Sequence, residues 1–275
     1  MTEPIVSDHG LDHFALAART RRFGAVQFLD YRLRAERPFL ITFLTTALGN
    51  PLLYLAAMGL GLGAVVQRPV GGVPYLLFVA PGLLISTVVT TAANWGTWPI
   101  FSGFKWEKTY FSAGASPLGA RQLVLGETLG MVVRLLLQGL IFWLIGLAFG
   151  AWGSPASVLA VPIGIVAGLA MFTPLMAYSA TLESEGLQFN FITRLIVMPM
   201  FLFAGTFFPL EAMPVYLRWI GWVSPMWHGT QLSRVASFGL DVPGWLIGVH
   251  VAFLVGCAAA GLWCADRTFA RRLVK

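Results

Sequence analysis

Charged residues are scarce in this chain of 275 residues, and their scarcity indicates the class of protein. Only 11% of the residues are Asp, Glu, Lys or Arg, whereas 57% are hydrophobic. An ordinary globular domain carries roughly 25% charged residues, because water must solvate its outer surface. This composition therefore predicts an integral membrane protein whose outer surface faces lipid.

Several chemical signatures are also missing. Cys257 and Cys264 are seven residues apart, so on a helix their Cα atoms lie about 10 Å apart, beyond the reach of a disulfide. The phosphate-binding pattern G-x-x-x-x-G-K-[ST] does not occur, and we expect no ATP binding of that kind and no enzyme activity in this chain. His9 and His13 have helical spacing but lack a third ligand, so no metal site is expected.

Carboxylates are absent from the middle of the apolar runs, where proton-coupled and sodium-coupled carriers need them. Among basic and histidine side chains, only Arg134, Arg194 and His250 fall within those runs. Each arginine lies within about two turns of a run's end, so it could reach lipid headgroups or form a gating ion pair. Both interpretations stay open. The candidate partners are three carboxylates near the same ends: Glu127, Glu183 and Glu185.

Uncharged runs show where the chain can cross a bilayer. Residues 135–182 are 48 uncharged residues, or about 72 Å of helix, which is too long for one crossing. Gly153, Ser154 and Pro155 mark the point where this run folds back. The sequence predicts an all-α membrane protein with six spans, at about 38–67, 76–95, 127–150, 157–181, 188–208 and 244–264.

Basic residues are distributed unequally between the two sides of these spans. Thirteen lysines and arginines lie in the N-terminal segment, the linker after the second span and the C-terminal tail, against three in the opposite loops. The positive-inside rule then predicts that both termini are cytoplasmic. The net charge of +6 reflects topology and lipid headgroups, and we expect no nucleic-acid partner.

Four parts make up the predicted organisation. A polar tail, 1–22, precedes an amphipathic segment, 23–38, which indicates either a helix in the cytoplasmic interface or a simple basic anchor. The tail is too polar for a signal peptide, so we expect the first span to direct insertion. The six-span domain covers 39–265, and 266–275 form a basic cytoplasmic tail.

Glycines four residues apart recur in the spans, a spacing that lets two helices approach closely. Each pair predicts a close helix contact. The pairs are Gly59 with Gly63, Gly126 with Gly130, Gly146 with Gly150, and Gly164 with Gly168.

The cytoplasmic linker, 101–126, is long for a bundle connection and interleaves aromatic residues with charges of both signs. This pattern predicts a short amphipathic helix. Its composition suits docking in a protein groove, and it equally suits a helix lying among lipid headgroups.

The external loop, 206–243, is apolar but is interrupted by Pro209, Pro214 and Pro225. Short helices that dip into the outer leaflet, anchored by aromatic residues, are the predicted form. Whether they act as a lid or contact a substrate stays open. The predicted anchors are Tyr216, Arg218, Trp219, Trp222 and Trp227.

Four blocks of sequence resemble one known family. The motif F-x-G-T-F-F-P followed by L-x-x-M-P lies in the fourth block and is the most specific. On these residues the chain resembles the type 2 ABC transporter permeases, within them the nodulation protein J branch, related to the daunorubicin-resistance permeases. The likeness covers about residues 25–270. The four blocks are 50–66, 75–84, 108–127 and 199–229.

The resemblance implies a bacterial inner-membrane permease that works as a dimer, a homodimer being expected, with two copies of a cytoplasmic P-loop ATPase. ATP and Mg²⁺ would bind the ATPase, and this chain would need no cofactor. In such families the linker after the second span couples the permease to the ATPase. Here that role falls on Lys105, Trp106, Glu107, Lys108, Thr109, Tyr110 and Phe111.

The same resemblance implies that the second and fifth spans supply the dimer interface and the substrate path. The lining candidates are Thr87, Thr90, Thr91, Asn94, Asn190, Phe191, Thr193, Met198 and Phe201. The expected function is outward transport of an amphiphile, such as a lipid, a lipo-oligosaccharide or other glycolipid, or a hydrophobic drug, by alternating access. The alternative is a non-transporting scaffold that recruits a cytosolic partner through the same linker.

Overall fold

Helices make up nearly all of the structure. The computed structural model of the chain describes residues 13–63, 69–183 and 186–274, and it leaves the side chains of residues 13–22, Leu60 and Leu62 undescribed. Within these ranges no β-strand forms, and Val70 and Val73 make an isolated bridge. The helical fold class is therefore confirmed. His9 and Glu185 lie outside the described residues.

The described ranges contain ten helices, which we number in chain order. They are α1 (His13–Glu36), α2 (Leu40–Leu55), α3 (Tyr75–Lys105), α4 (Thr109–Gly114), α5 (Ala120–Ala148), α6 (Ala160–Ser179), α7 (Gln188–Phe203), α8 (Arg218–Val223), α9 (Pro225–Phe238) and α10 (Gly244–Val274). A 3₁₀ turn, Arg37–Phe39, joins α1 to α2, and a π turn, Ala56–Leu62, extends α2. A second π turn, Thr193–Val197, lies within α7.

Five helical segments in the described ranges are long and apolar enough to cross a membrane. The first combines the second part of α1 with α2, so the amphipathic segment and the first predicted span form one helical stretch. The five segments are Phe23–Gly59, Tyr75–Lys105, Ala120–Ala148, Pro155–Ser179 and Gly244–Val274.

The predicted fifth span, 188–208, is shorter in the structure. Helix α7 ends at Phe203, and its sixteen residues extend about 24 Å, less than the roughly 30 Å hydrocarbon core of a bilayer. The chain turns at Gly205, whose φ of 76° lies in the left-handed region that glycine tolerates best. Helix α7 therefore does not by itself have the length of a span.

Two helices extend further than the sequence patterns predict. Helix α1 begins at His13, within the segment 1–22 that we expected to be a polar tail. Helix α10 continues without interruption to Val274, so most of the predicted basic tail is helical. Charge alone does not end a helix, because long basic side chains can extend into water from its surface.

Helix α3 lies at the centre of the bundle. It packs on α6 and α9, and α6 packs in turn along α10. At the α3–α6 crossing, a Cβ atom on Gly96 would lie 3.0 Å from the carbonyl oxygen of Phe172. Glycine therefore permits the two backbones to approach, and α3 is mostly buried.

The fold-back between α5 and α6 occurs where the sequence predicts it. Helix α5 ends at Ala148, and a 3₁₀ turn, Pro155–Leu159, leads into α6. The Ser154 side chain accepts a hydrogen bond from the Ala156 N–H at 3.1 Å and so caps that turn.

The loop between α7 and α10 enters the bundle further than expected. Helix α9 packs against α3, α6 and α10. Trp227 is only 3% exposed, so the prediction that it anchors at the membrane interface is wrong, whereas Trp219 and Trp222 are exposed. The buried Arg234 holds α9 in place by donating to the carbonyl oxygens of Phe78, Gly205 and Thr206.

Candidate functional site

A cavity of about 550 Å³ lies between α2, α3 and α5, beside the end of α1. Apolar side chains, among them Leu40, Phe43 and Leu137, line one part of it. Hydroxyl, amide and charged groups line the rest. The polar lining residues are Glu36, Thr42, Thr46, Asn50, Thr91, Asn94, Arg134 and Gln138.

Arg134 carries the positive charge of this cavity and is held on three sides. Its guanidinium donates to Glu36 Oε2, and its Cζ atom lies 3.6 Å from the centre of the Trp95 ring and 5.1 Å from that of Phe43. Its side chain is only 12% exposed. Pairing with Glu36 replaces the partners that we expected, and the ring contacts add cation–π attraction.

A chain of alternating charges connects this cavity to helix α4. We call the neutral Tyr110 and the charged Glu127, Arg32, Glu36 and Arg134 the buried charge chain; Tyr110 and Glu127 are buried, and the other three are partly buried. The Tyr110 hydroxyl donates to Glu127 Oε1 at 2.8 Å, and Arg32 Nε lies 3.1 Å from the same oxygen. Arg32 Nη2 is 4.0 Å from Glu36 Oε1, and Glu36 then pairs with Arg134.

Close packing of α1 on α5 brings these charges together. A Cβ atom on Gly126 would lie 2.8 Å from Phe28 Cδ1 and 3.0 Å from the carbonyl oxygen of Ala25. Only glycine fits this contact, so α1 can place Arg32 beside Glu127 one residue further along α5. The small-residue spacing of Gly126 and Gly130 therefore predicts a real helix contact.

Tyr110 is the member of the buried charge chain that belongs to α4. It is 1% exposed, and its ring packs against Phe104 at 4.4 Å and Phe269 at 5.1 Å between centroids. Burial and the negative charge of Glu127 raise the pKa of Tyr110 well above its ordinary value. The phenol therefore stays protonated and acts as a hydrogen-bond donor to the carboxylate.

The rest of the predicted coupling segment lies at the surface. Trp106 is 60% exposed, and Glu107, Lys108 and Phe111 are also exposed. Glu107 accepts hydrogen bonds from Ser102 at 2.6 Å and from Thr109 at 3.4 Å, and these bonds shape the turn into α4. Outward-facing charges and rings thus lie beside the buried Tyr110.

Lys105 and Lys108 complete this segment in different ways. Lys105 Nζ donates to the Glu183 carbonyl oxygen at 2.8 Å, which ties the end of α3 to the start of the α6–α7 connection. Lys108 has a φ of 54°, a left-handed conformation that is uncommon for a residue with a side chain. The chain therefore turns sharply just before α4.

The lining candidates separate into two groups in space. Thr91 and Asn94 line the cavity, whereas Thr87 is buried and donates to the Leu83 carbonyl oxygen. Thr90, although partly buried, does not line the cavity.

The candidates on α7 lie away from this cavity. Phe191 and Met198 are exposed, at 67% and 60%, as are Asn190 and Arg194, and Thr193 is half-buried. Phe201 packs on Tyr54, with 5.9 Å between ring centroids. The structure therefore does not bring the α3 and α7 candidates together within one chain.

Sequence reasoning missed Glu36, Arg32, Trp95 and Gln138 as site residues. A detectable signal existed for three of them. Arg32 and Glu36 are four residues apart and share a face of α1, and Gln138 is four residues after Arg134 on α5. No one-dimensional pattern places α1 beside α5, because that contact depends on tertiary packing.

Comparisons with known proteins agree on one family. The family model for the ABC-2 type transporter matches residues 31–238. Nodulation protein J of Sinorhizobium fredii (strain NGR234) is 28% identical over 227 residues, 82% of this chain and 85% of the relative. Nodulation protein J of Rhizobium leguminosarum bv. viciae is 28% identical over 84% of this chain and 89% of its own length. The protein of the same name from Rhizobium meliloti (strain 1021) is 25% identical over 84% and 88%. No solved structure gives a significant match.

Proposed function

Since this chain belongs to the ABC-2 type transporter family, we propose that it is the permease subunit of an exporter that moves an amphiphile outward by alternating access. It has five helical segments able to span a membrane in its described part. We propose a multi-pass inner-membrane protein with both termini cytoplasmic. The excess of basic residues in the N-terminal segment, the linker after the second span and the C-terminal tail supports this orientation.

The sixth crossing in this proposal is the short helix α7. It would cross only part of the hydrocarbon core. The turn after Phe203 and the inserted helix α9 would fill the rest of the membrane thickness beside it. The packing of α9 against α3 and α6 supports this arrangement. Irregular backbone is tolerated at membrane depth where protein covers it.

The single observation that carries the proposal is the buried charge chain between α4 and the cavity. We propose that the exposed side of α4 docks in a groove of a cytoplasmic P-loop ATPase. Movement of α4 would displace the Tyr110 hydroxyl from Glu127, and Arg32 and Glu36 would readjust because each charge needs a partner in a poorly solvated site. Arg134 would then change its position in the cavity.

The cavity suits an amphiphilic substrate. Its apolar part can receive hydrocarbon, and Arg134 with the neighbouring hydroxyl and amide groups can receive a polar group. In this proposal ATP and Mg²⁺ bind the ATPase subunits, of which two copies serve two permease copies. The permease chain itself holds no cofactor.

The first experiment is affinity purification of the tagged full chain from its native membrane in mild detergent, with mass spectrometry and an ATPase assay on the complex. We expect a P-loop ATPase in about equal amount and ATP hydrolysis by the complex, whereas the chain alone hydrolyses none. A chain that purifies alone, or only with enzymes of envelope synthesis, contradicts the exporter and favours a scaffold.

The second experiment tests the cavity. In the reconstituted complex, Arg134→Gln should abolish stimulation of the ATPase by amphiphiles while the proteins still co-purify. Arg267→Gln is the matched control, because it removes an exposed arginine on α10 that does not line the cavity. Equal stimulation in both variants contradicts a role for Arg134.

A further inference from the structure

An apolar groove lies between the turn that follows α4 and the last turns of α10. It has a volume of about 520 Å³. Its larger side chains are Phe111 and Leu118 on one wall and Leu273 and Val274 on the other. Among the residues that the structure describes, none that lines it is polar or charged. We call it the α4–α10 groove.

The α10 wall of this groove is held firmly in place. Arg272 Nη1 donates to the carbonyl oxygen of Ala180 at 2.8 Å and to that of Ser179 at 3.3 Å, both at the end of α6. The Arg272 Cζ atom also lies 4.3 Å from the centre of the Phe104 ring, and Phe269, one turn earlier, is fully buried. This wall therefore exists before any partner binds.

The opposite wall is also built by contacts within the chain. Ser116 Oγ donates to the Ala113 carbonyl oxygen at 2.6 Å and closes the turn after α4. Leu118 lies against α1, where a Cβ atom on Gly24 would come within 2.5 Å of Leu118 Cδ2. A groove with two fixed walls loses little conformational entropy when it is filled.

The groove leaves apolar surface uncovered at an end of the protein that our proposal places in the cytoplasm. Val274 is 89% exposed and Phe111 is 38% exposed, and Ala115 and Ala270 are exposed as well. Contiguous apolar surface in water is typical of a site that another molecule covers. The α4–α10 groove therefore has the character of a docking site.

Phe111 indicates which molecule covers it. This residue belongs to the segment 105–111, through which we propose that the ATPase docks, and it also lines the α4–α10 groove. Its ring is held against that of Phe104, with 5.8 Å between centroids. A protein seated on the exposed side of α4 thus reaches the groove without a break in the contact surface.

Charges beside the groove indicate the chemistry of the partner. Arg121 follows the lining residue Ala120, and Arg271 follows the lining residue Ala270. Both arginines are exposed, and neither makes an ion pair within the described residues. Asp266, one turn before Ala270, is half-buried. A complementary partner presents carboxylates around an apolar anchor.

We propose that the α4–α10 groove receives an apolar side chain of the P-loop ATPase, flanked by carboxylates, so that the end of α10 is a second contact with that subunit. This inference rests on the proposed function, because it takes the ATPase as the partner. It goes further in assigning α10 to the interface, and it can fail while docking through α4 stands.

The first test measures the affinity of the full chain in nanodiscs for the ATPase that co-purifies with it. Ala270→Trp fills the groove and should weaken binding about tenfold or more. Ala260→Trp is the matched control, because Ala260 is an exposed alanine on the same helix and does not line the groove. Thermal unfolding shows whether each variant is folded.

The second test needs no change to the shape of the groove. A photoreactive benzoylphenylalanine replaces Val274 in the full chain, and native membranes are irradiated. We expect a covalent adduct with the ATPase, identified by mass spectrometry. The same group at Trp245, which is 69% exposed at the other end of α10, is the control and should give none with the ATPase.

A third test concerns the charges. Arg271→Glu should weaken binding of the ATPase, with a larger effect at low salt than at high salt, because the partner's carboxylates would then meet a like charge. Arg37→Glu is the matched control, since Arg37 is an exposed arginine in the turn between α1 and α2. Equal affinities for the two variants would contradict flanking carboxylates.

The results separate this inference from the proposed function. Equal affinity of folded Ala270→Trp and Ala260→Trp for the ATPase would overturn the groove contact and leave the exporter intact. So would adducts from position 274 that contain only lipid or only a second copy of this chain. A wild-type chain that binds no ATPase would contradict the exporter itself, and the groove contact with it.

Discussion

The Tyr110 hydroxyl is buried beside the apolar rings of Phe104 and Phe269. Its hydrogen bond to Glu127 offsets the cost of burying this polar group. The hydroxyl donates at 2.8 Å to a carboxylate that is also paired with Arg32. Loss of the Tyr110 hydroxyl takes one of two donors from the Glu127 carboxylate, and loss of the carboxylate leaves the hydroxyl without its acceptor in a poorly solvated place. If coupling runs through Tyr110 as we propose, stability and coupling depend on the same atoms.

We predict that Tyr110→Phe lowers the free energy of unfolding by about 1 to 3 kcal/mol. Glu127→Gln should cost about 3 to 5 kcal/mol, because Arg32 loses its countercharge. Thermal unfolding in detergent measures both. The double variant should cost less than the sum of the two, since both changes act on one bond. Tyr216→Phe, at a residue that is 73% exposed, is the control, and an equal effect there would contradict the prediction.

The same tyrosine predicts a dependence on pH. Because the pKa of Tyr110 is raised in the folded protein, its contribution to stability is complete below the unfolded pKa of about 10 and is lost as the pH rises above it. The wild-type protein should lose more stability than Tyr110→Phe between pH 9 and 11, roughly the range in which a free tyrosine ionises. Parallel curves for the two proteins would contradict this.

Helix contacts give a sharper test at the scale of elements. We predict that Gly126→Ala destabilises the protein by about 1 to 3 kcal/mol, because the new methyl group meets Phe28 and the Ala25 carbonyl oxygen. Gly130→Ala is the matched control on the same helix, since its nearest neighbour, Leu29 Cδ1, is 3.7 Å away. Alanine favours a helix equally at both positions. The midpoints of thermal unfolding of the two variants are compared. Equal midpoints would contradict the close-contact explanation.

In our proposal, coupling to the ATPase depends on helix α4. We predict that Glu107→Arg abolishes stimulation of the partner ATPase while membrane insertion stays unchanged, because it reverses an exposed charge beside α4 and removes two hydrogen bonds of the preceding turn. Asp30→Arg reverses an exposed charge on α1 and is the control. ATPase rates of the reconstituted complex measure the effect. Normal rates with Glu107→Arg, or an equal loss with Asp30→Arg, would remove Glu107 from the interface.

Sequence patterns predict the helices well where one feature dominates. Gly153 to Pro155 break a run that is too long for one crossing, and the structure breaks there. The end of α7 was missed, because Phe207 and Phe208 continue the apolar run, although Gly205 is a common signal for the end of a helix. Trp227 was misplaced for a similar reason, since the local sequence does not distinguish a tryptophan buried in the bundle from one at the membrane interface.

The candidate site was only partly predictable. Arg134 is conspicuous as a charge inside an apolar run, and Thr91 and Asn94 are polar groups on a span. Glu36, however, is 98 residues from Arg134, and their pairing depends on how α1 lies against α5. Long-range contacts of this kind follow from packing of whole helices, which local patterns do not contain.

Unpartnered apolar surface bears on the assembly of the whole molecule. Phe191, Leu195, Met198 and Leu202 follow one face of α7 and are 45% to 67% exposed. Spacings of four, three and four residues form a continuous stripe along a helix. In our proposal a second copy of the chain covers this stripe.

We predict that Met198→Cys forms a disulfide-linked dimer on mild oxidation in native membranes. The two native cysteines, of which Cys264 is exposed, are first replaced by alanine. Trp263→Cys is the control, because Trp263 is 57% exposed on α10, away from the stripe. Gel mobility without reductant gives the result. Monomers from both variants, or dimers only through position 263, would contradict this interface.

Helix α10 is one continuous helix that extends between the two ends of the protein. Prolines lie inside α2 at Pro51, α3 at Pro81 and Pro99, and α6 at Pro174, whereas α10 runs for 31 residues without one. It carries His250 in the wall of a cavity near the start of α3 and Phe269 against Tyr110. Proline is one of the common causes of a bend in a helix. A displacement of Phe269 would therefore move His250 as well, because α10 would shift as one rigid body.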